Sequence, residues 1–162
     1  MPSQSQTADT TPHFRMLDAD EISAVLTRNH MGRIAYTFHD QVNIVPLHYI
    51  YDDGWIYGRT SPGEKLVTLE HHRWVAFEVD EVQGLYDWRS VVLHGGFYVL
   101  SPGDEGWERA LQLLRSAIQA MLAEDDPTPF RTVLFRISVQ ENTGREAVSQ
   151  DDNSPNRNAS FT

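Results

Sequence analysis

The sequence contains no cysteine, so disulfide frameworks, thiolate nucleophiles and cysteine-ligated zinc are all excluded. Basic residues are also scarce, since 13 stand against 23 acidic ones. The net charge of -10 and the lack of a basic stripe argue against nucleic-acid binding, which depends on neutralising phosphates. No apolar run reaches the roughly 18 residues of a membrane span, and the first residues lack a signal-peptide pattern. We therefore expect a cytoplasmic protein without membrane or nucleic-acid partners.

Hydrophobic periodicity predicts one mainly β domain. The 162 residues suffice for a single core, which we place at 17–140, between a flexible arm at 1–16 and a polar tail at 141–162. Alternating apolar residues mark half-buried strands, and a spacing of three and four marks helices. The predicted strands cover 33–38, 42–51, 55–60, 74–80, 86–100 and 132–139, and the predicted helices cover 18–29, 64–72 and 102–125. Short turns between most strands favour a small antiparallel barrel with peripheral helices.

The stretch 42–65, VNIVPLHYIYDDGWIYGRTSPGEK, is the most informative part of the chain. Pro46 lies inside its first apolar run and has no N–H to donate to a neighbouring strand. This strand must therefore lie at an edge, carry a bulge, or turn its free side towards something other than a strand. A flat ligand is one such partner, and an unpartnered edge is the more usual explanation.

The end of the same stretch predicts an anion site. Backbone N–H groups at a helix start are unpaired, so together with hydroxyls and a cation they can hold a phosphate. Thr60, Ser61 and Lys65 supply these groups, and Arg59 adds a second cation with fork geometry. Lys65 is the only lysine in the sequence. The alternative is an ordinary turn before a helix, with Lys65 as a solvated side chain.

Other chemistry has less support in the sequence. The seven histidines show neither an HExxH motif nor a pair four residues apart, so we predict no metal site. The serines lack the G-x-S-x-G context of a hydrolase nucleophile. Trp88 and Ser90 share a predicted strand that offers stacking area and a donor, although packing of Trp88 at a subunit or domain contact is the more common role.

Four fragments occur together in the order and spacing of a known family. They are Met31-Gly32-Arg33-Ile34-Ala35, the run from Ile44-Val45-Pro46-Leu47 through Ile56-Tyr57 to Gly63-Glu64-Lys65, Phe77-Glu78-Val79-Asp80, and Trp88-Arg89-Ser90-Val91 leading to Gly95. Through them the chain resembles the pyridoxamine 5'-phosphate oxidase-like family of flavin-binding split barrels, and within it the branch of nitroimidazole-resistance proteins. The likeness runs from Leu17 to Val139.

The resemblance implies a six-stranded antiparallel split β-barrel and a homodimer that holds FMN in a cleft at its interface. Val45, Pro46 and Leu47 would then lie along the isoalloxazine ring. Arg59, Thr60, Ser61 and Lys65 would bind the ribityl phosphate. Trp88 and Ser90 would complete the pocket.

From this resemblance we expect an FMN-dependent oxidoreductase that passes hydride or electrons between a reduced nicotinamide, NAD(P)H, and a small acceptor. Gly58-Arg59 stands where nitroimidazole-resistance proteins tend to carry a His, and the C-terminal Arg and His pattern of true pyridoxamine phosphate oxidases is absent. We therefore predict neither nitroimidazole reduction nor vitamin B6 oxidation, and the sequence names no catalytic residue. Two alternatives stay open: a split barrel that binds a deazaflavin or haem in the same cleft, and a cofactor-free binding or regulatory dimer.

Overall fold

A computed structural model describes residues 11–117 and 126–149. Within these residues the chain forms nine strands and three helices. In chain order they are β1 (His13–Met16), α1 (Ala19–Arg28), β2 (Met31–Phe38), β3 (Gln41–His48), β4 (Ile50–Asp52), β5 (Trp55–Thr60), α2 (Glu64–His71), β6 (Trp74–Gly84), β7 (Asp87–Leu100), α3 (Trp107–Ala117), β8 (Val133–Ser138) and β9 (Glu141–Val148). No helix of the described residues is long and apolar enough to cross a bilayer.

All strand pairs are antiparallel, and the main path of the sheet runs β3-β2-β6-β7-β8-β5-β4. The remaining two strands extend it, since β9 pairs with both β7 and β1. In the described part of the chain no ladder joins β3 to β5, so the barrel stays open between these two strands. This confirms the predicted mainly β, antiparallel split-barrel fold.

Strand β7 bends so that it can serve both halves of the barrel. Its first ten residues pair with β6 and, over 88–94, also with β9, and its last four residues pair with β8. Gly95 lies at the changeover, where a Cβ atom would stand 1.5 Å from the backbone oxygen of Ser138. Only glycine permits this approach, so the Gly95-Gly96 pair in the sequence marks the bend that barrel closure requires.

Two apolar clusters stabilise the fold. The larger fills the barrel with side chains that include Tyr49, Phe77 and Phe135, none of which is exposed. The smaller lies on the opposite side of β5 and β8, where α3 packs through Ala110 and Leu114. Strand β5 therefore separates the two clusters, and its successive side chains point alternately into one and the other.

The predicted boundaries of the domain were too narrow. Residues 13–16 of the predicted arm form β1, and residues 141–148 of the predicted tail form β9. The polar sequence of β9 is stabilised because Glu146, which is 5% exposed, accepts hydrogen bonds from Arg15 and Arg89 at 2.8 and 2.7 Å. These two strands, and a break at Tyr49 that divides the predicted strand 42–51, raise the number of strands from six to nine.

The other predicted elements agree with the structure. The helix at 18–29 is α1, which begins with a capping box between Asp18 and Glu21, and the helix at 64–72 is α2. The third predicted helix corresponds to α3 as far as Ala117, and its predicted continuation over 118–125 lies outside the described residues. The same holds for residues 1–10 of the arm and 150–162 of the tail.

Candidate functional site

A recess lies where the barrel is split, between β3, β5 and α2, and encloses a volume of about 20 Å³. Most of its walls are aliphatic or aromatic, and Thr60 and Lys65, which carry a hydroxyl and an ammonium, also line it. The lining residues are Ile34, Tyr36, Val45, Leu47, Thr60, Lys65, Leu66, Leu69, Phe97 and Phe135. Such a combination of apolar walls and a few polar groups is typical of sites for small molecules and cofactors.

Strand β3 forms one rim of the recess. It pairs with β2 only, so it is an edge strand in the described part of the chain, as Pro46 requires. Val45 and Leu47 face the recess, and Pro46 between them is exposed. Since successive side chains of a strand point to opposite sides, the ring of Pro46 lies on the other face of the sheet. The recess is thus bordered by a backbone edge that no strand of the described residues covers.

The polar end of the recess lies at the start of α2. Strand β5 ends at Thr60, and α2 begins at Glu64 with Gly63 as its N-cap. No side chain among the described residues caps this helix. The N–H of Leu66 donates to the carbonyl oxygen of Gly63 at 3.1 Å, so it is the earlier N–H groups of the first turn that stay available. Lys65 is half-buried in that turn and forms no ion pair within residues 11–117 and 126–149. An available cation beside an uncapped helix start favours an anion at this place.

Arg59 is not part of this polar end. It precedes Thr60 on β5, so its side chain points to the opposite side of the strand, away from the recess. Its guanidinium is 3% exposed and binds both carboxylate oxygens of Asp126 at 2.5 and 2.9 Å. It also donates to Thr128 Oγ1 at 2.9 Å. The structure therefore separates Arg59 from Thr60 and Lys65, with which the sequence groups it.

Trp88 and Ser90 also lie away from the recess. They stand directly opposite Val82 and Asp80 of β6, so all four belong to the outward side of the sheet. Ser90 Oγ lies 3.4 Å from Glu78 Oε1. Partial burial, and then the charge of Asp80, raise the pKa of Glu78. One chain thus presents Trp88 and Ser90 beside acidic groups, on a different surface from Lys65.

This outward side, which we call the outer sheet face, is formed by β3, β2, β6 and the first half of β7. Pro46 belongs to it as well, because Pro46 stands opposite Arg33, and Arg33 stands opposite Glu78. Much of the face is apolar and uncovered. Its large exposed apolar side chains include Val42 at 74%, Ile44 at 65%, Val82 at 65% and Trp74 at 53% exposure.

The predicted site residues therefore divide into groups. The recess unites Val45, Leu47, Thr60 and Lys65, and half-buried Ser61 follows Thr60 directly. Pro46, Trp88 and Ser90 share the outer sheet face, and Arg59 pairs with Asp126 on the other side of β5. Sequence reasoning missed the aromatic walls, of which Tyr36, Phe97 and Phe135 are part. The alternation of apolar and polar residues in their strands identifies these side chains only as inward-facing, and a role in the packed core of the barrel explains that equally well.

Known proteins with this architecture include flavoproteins. A protein of Mesorhizobium loti described as FAD-binding is 31% identical, with a TM-score of 0.68, over 85% of this chain and 99% of that one. A putative 5-nitroimidazole antibiotic resistance protein of Bacteroides thetaiotaomicron is 18% identical, with a TM-score of 0.65, over 86% and 90% of the two chains, and shares the fold.

The remaining comparisons concern sequence. An uncharacterized protein of Rhizobium meliloti is 27% identical over 92 residues, and the match spans 57% of this chain and 60% of that relative's length. A family profile described as pyridoxamine 5'-phosphate oxidase matches residues 18–146. This match covers most of the barrel, including the recess and the outer sheet face, and it confirms the resemblance found in the sequence. The chain belongs to the pyridoxamine 5'-phosphate oxidase family.

Proposed function

We propose that the protein binds a flavin nucleotide, FMN, with its phosphate at the start of α2 and its ring system along β3. The observation that carries this proposal is the set of residues around the recess, in which Thr60 and Lys65 join mostly apolar side chains. A flavin needs both surfaces because it joins a flat, largely apolar ring to a charged phosphate. The FAD-binding relative from Mesorhizobium loti supports the same class of ligand.

The phosphate would be held by Thr60, Ser61 and Lys65 together with the uncapped helix start. The phosphate of FMN carries roughly -1.5 to -2 charges near pH 7. In a protein whose net charge is -10, such a dianion needs local cations. Lys65 supplies one, and no ion pair with a carboxylate of the described residues has to break first. The open edge of β3 would then offer backbone groups to the polar rim of the ring.

The complete site requires two copies of the chain. The recess encloses only about 20 Å³, far less than the roughly 300–1,000 Å³ of pockets that bury a drug-sized ligand, so a flavin bound at it would leave most of its ring uncovered. Pro46, Trp88 and Ser90 lie on the outer sheet face, together with Val42 and Ile44, which need an apolar cover. A homodimer that buries this face would cover both the exposed part of the ring and these apolar side chains. Trp88 and Ser90 would then reach a flavin held at the seam.

The reaction that fits such a site is an oxidoreduction between a reduced nicotinamide and a small acceptor. The flavin, when bound, supplies the capacity to accept and donate hydride or electrons. The chain's own residues supply position and exclusion of water: Val45 and Leu47 pack against the ring, and Lys65 and Thr60 hold the phosphate end. The protein thus orients a reactive group whose chemistry belongs to the cofactor.

The visible spectrum and a ligand titration test this proposal. We expect the purified protein, alone or after addition of FMN, to show the two visible bands of an oxidised flavin, and to bleach when NADH or NADPH is added without oxygen. FAD, riboflavin, haemin and a deazaflavin are titrated in parallel. Tighter binding of haemin or a deazaflavin than of FMN would overturn the cofactor assignment. A colourless protein that binds none of them would identify a cofactor-free binding dimer instead.

A further inference from the structure

The ion pair between Arg59 and Asp126 is the most deeply buried one among the described residues. The exposed fractions of the two side chains are 3% and 8%, whereas every other described pair contains a side chain that is at least 35% exposed. A buried pair of this kind seldom adds much stability over apolar residues of the same size. Its geometric effect on the neighbouring backbone is therefore of more interest than its energy.

The carboxylate of Asp126 is fixed on its own side. Its Oδ1 atom accepts hydrogen bonds from the backbone N–H of Thr128 at 2.8 Å and from the Thr128 hydroxyl at 3.2 Å. The hydrogen bond from Arg59, and further bonds from Thr128, hold the pKa of Asp126 well below its usual range. Asp126 thus stays charged and oriented, and it presents a rigid acceptor to the fork of Arg59.

Arg59 lies near the end of β5, where the strand forms fewer pairs with neighbouring strands. Strand β4 pairs with β5 only as far as Tyr57, so among the described strands β8 alone pairs with Gly58, Arg59 and Thr60. Thr60 is the last residue of the strand and lines the recess, and the loop to Lys65 starts directly after it. The bidentate pair with Asp126 is therefore an additional anchor at the place where β5 ends in the polar corner of the recess.

We propose that Asp126 is a positioning residue for the phosphate site: through Arg59 it fixes the end of β5, so that Thr60 and the following loop face the phosphate of the bound flavin. This inference rests on the proposed function. It also reassigns Arg59, which serves as the support of the site and makes no contact with the phosphate. Loss of a residue that holds a ligand-binding group in place can change the affinity for the ligand tenfold or more. Asp126 therefore sets the preference for FMN over riboflavin, which lacks the phosphate.

The test compares the dissociation constants of FMN and riboflavin for the full chain and for Asp126→Asn, Thr128→Val and a control, Asp52→Asn. Asp52 forms a bidentate pair with Arg109 at 2.9 and 3.0 Å on strand β4, which contributes no side chain to the recess lining. We expect Asp126→Asn to lower the preference for FMN about tenfold, and Thr128→Val, which removes one neutral acceptor, to lower it about threefold. The control should leave the preference unchanged.

A second measurement separates positioning from general destabilisation. If Asp126 acts through the end of β5, its replacement should reduce FMN affinity less in a Thr60→Val background than in the wild type, because one of the groups that it positions is already gone, so the two substitutions should be less than additive. The unfolding temperature of each variant is recorded in parallel. A variant that unfolds more easily and yet keeps the wild-type preference would show that the pair is structural only.

The remaining outcomes also decide the question. A preference for FMN that rises in Asp126→Asn would mean that Asp126 competes with the phosphate for Arg59, and it would overturn the positioning role. Additive effects of Asp126→Asn and Thr60→Val would overturn it as well. A wild-type protein that binds neither flavin would refute the proposed function itself, whereas wild-type binding with unchanged variant preferences would refute only the role of Asp126.

Discussion

Replacement of Lys65 by Met tests the phosphate site at its most polar residue. The change keeps a long, flexible side chain and removes the charge. Lys65 forms no ion pair with the described residues, and in the proposed complex its ammonium donates to a phosphate oxygen. A hydrogen bond between charged groups contributes roughly 1.5–3 kcal/mol, and 1.4 kcal/mol corresponds to a factor of about ten. The dissociation constant of FMN should therefore rise roughly 10- to 150-fold.

Riboflavin provides the internal reference for this experiment. It has the same ring and lacks the phosphate, so its affinity for Lys65→Met should stay within about threefold of the wild-type value, a difference under 1 kcal/mol. Arg109→Met is the matched control, because it removes one positive charge from the exposed pair with Asp52. We expect the control to leave both affinities unchanged. Flavin fluorescence, followed during titration with protein, measures all of these constants.

Salt gives an independent reading of the same contact. Lys65 is only half-buried, so ions screen its attraction to a phosphate, and the wild-type affinity for FMN should fall as salt is added. The variant should show a weaker dependence on salt. Equal losses for FMN and riboflavin, or no loss for either, would refute the reasoning, because the phosphate would then lie away from Lys65.

Three further predictions concern assembly and stability. Ile44→Glu, on the outer sheet face, should weaken self-association at least about tenfold because it buries an unpaired charge, whereas Val67→Glu on the exposed side of α2 should not; sedimentation at several concentrations distinguishes them. Glu146→Gln should destabilise the fold by about 2 kcal/mol and lower the unfolding temperature by about 4–8 °C, as calorimetry would show. The hydrogen bond from Arg15 lowers the pKa of Glu21 from 4.5 to about 2, so its stabilising effect is present above pH 4.5 and is lost as the pH falls towards 2. Urea unfolding of Glu21→Gln across this range should therefore show a flatter pH dependence than wild type.

Each of these three predictions has its own contradicting result. A wild-type protein that sediments as a monomer, or a Val67→Glu variant that dissociates like Ile44→Glu, would remove the outer sheet face as the interface. An unchanged unfolding temperature for Glu146→Gln would mean that β9 does not depend on its carboxylate. An identical pH profile for Glu21→Gln would show that Glu21 contributes nothing to acid sensitivity.

The sequence predicts most of the barrel because alternation reports burial directly. Residues 33–38 and 74–80 alternate strictly, and both segments lie within strands. Strand β9 escaped prediction because its inward positions include Gly144 and Glu146, which no hydropathy pattern marks as buried. Glu146 becomes an inward residue only through arginines from two other strands. Such long-range pairing leaves no local signal.

Local sequence also predicts one part of the site and leaves the other without a signal. Thr60 and Lys65 lie on either side of one loop, so their proximity follows from local sequence, and the structure places both on the recess. Arg59 was grouped with them by closeness in sequence, although strand alternation alone sends neighbouring side chains to opposite sides. Its partner Asp126 lies 67 residues later, and nothing in the sequence around either residue indicates the pair.

A crystal structure of the protein with FMN would test the proposed flavin site most directly. We expect the ring beside Val45 and Leu47, in a seam between two copies, and phosphate oxygens at hydrogen-bond distance, about 2.7–2.9 Å, from the ammonium of Lys65. A flavin bound elsewhere on the chain, or one whose phosphate extends into solvent while Lys65 stays free, would contradict the proposal.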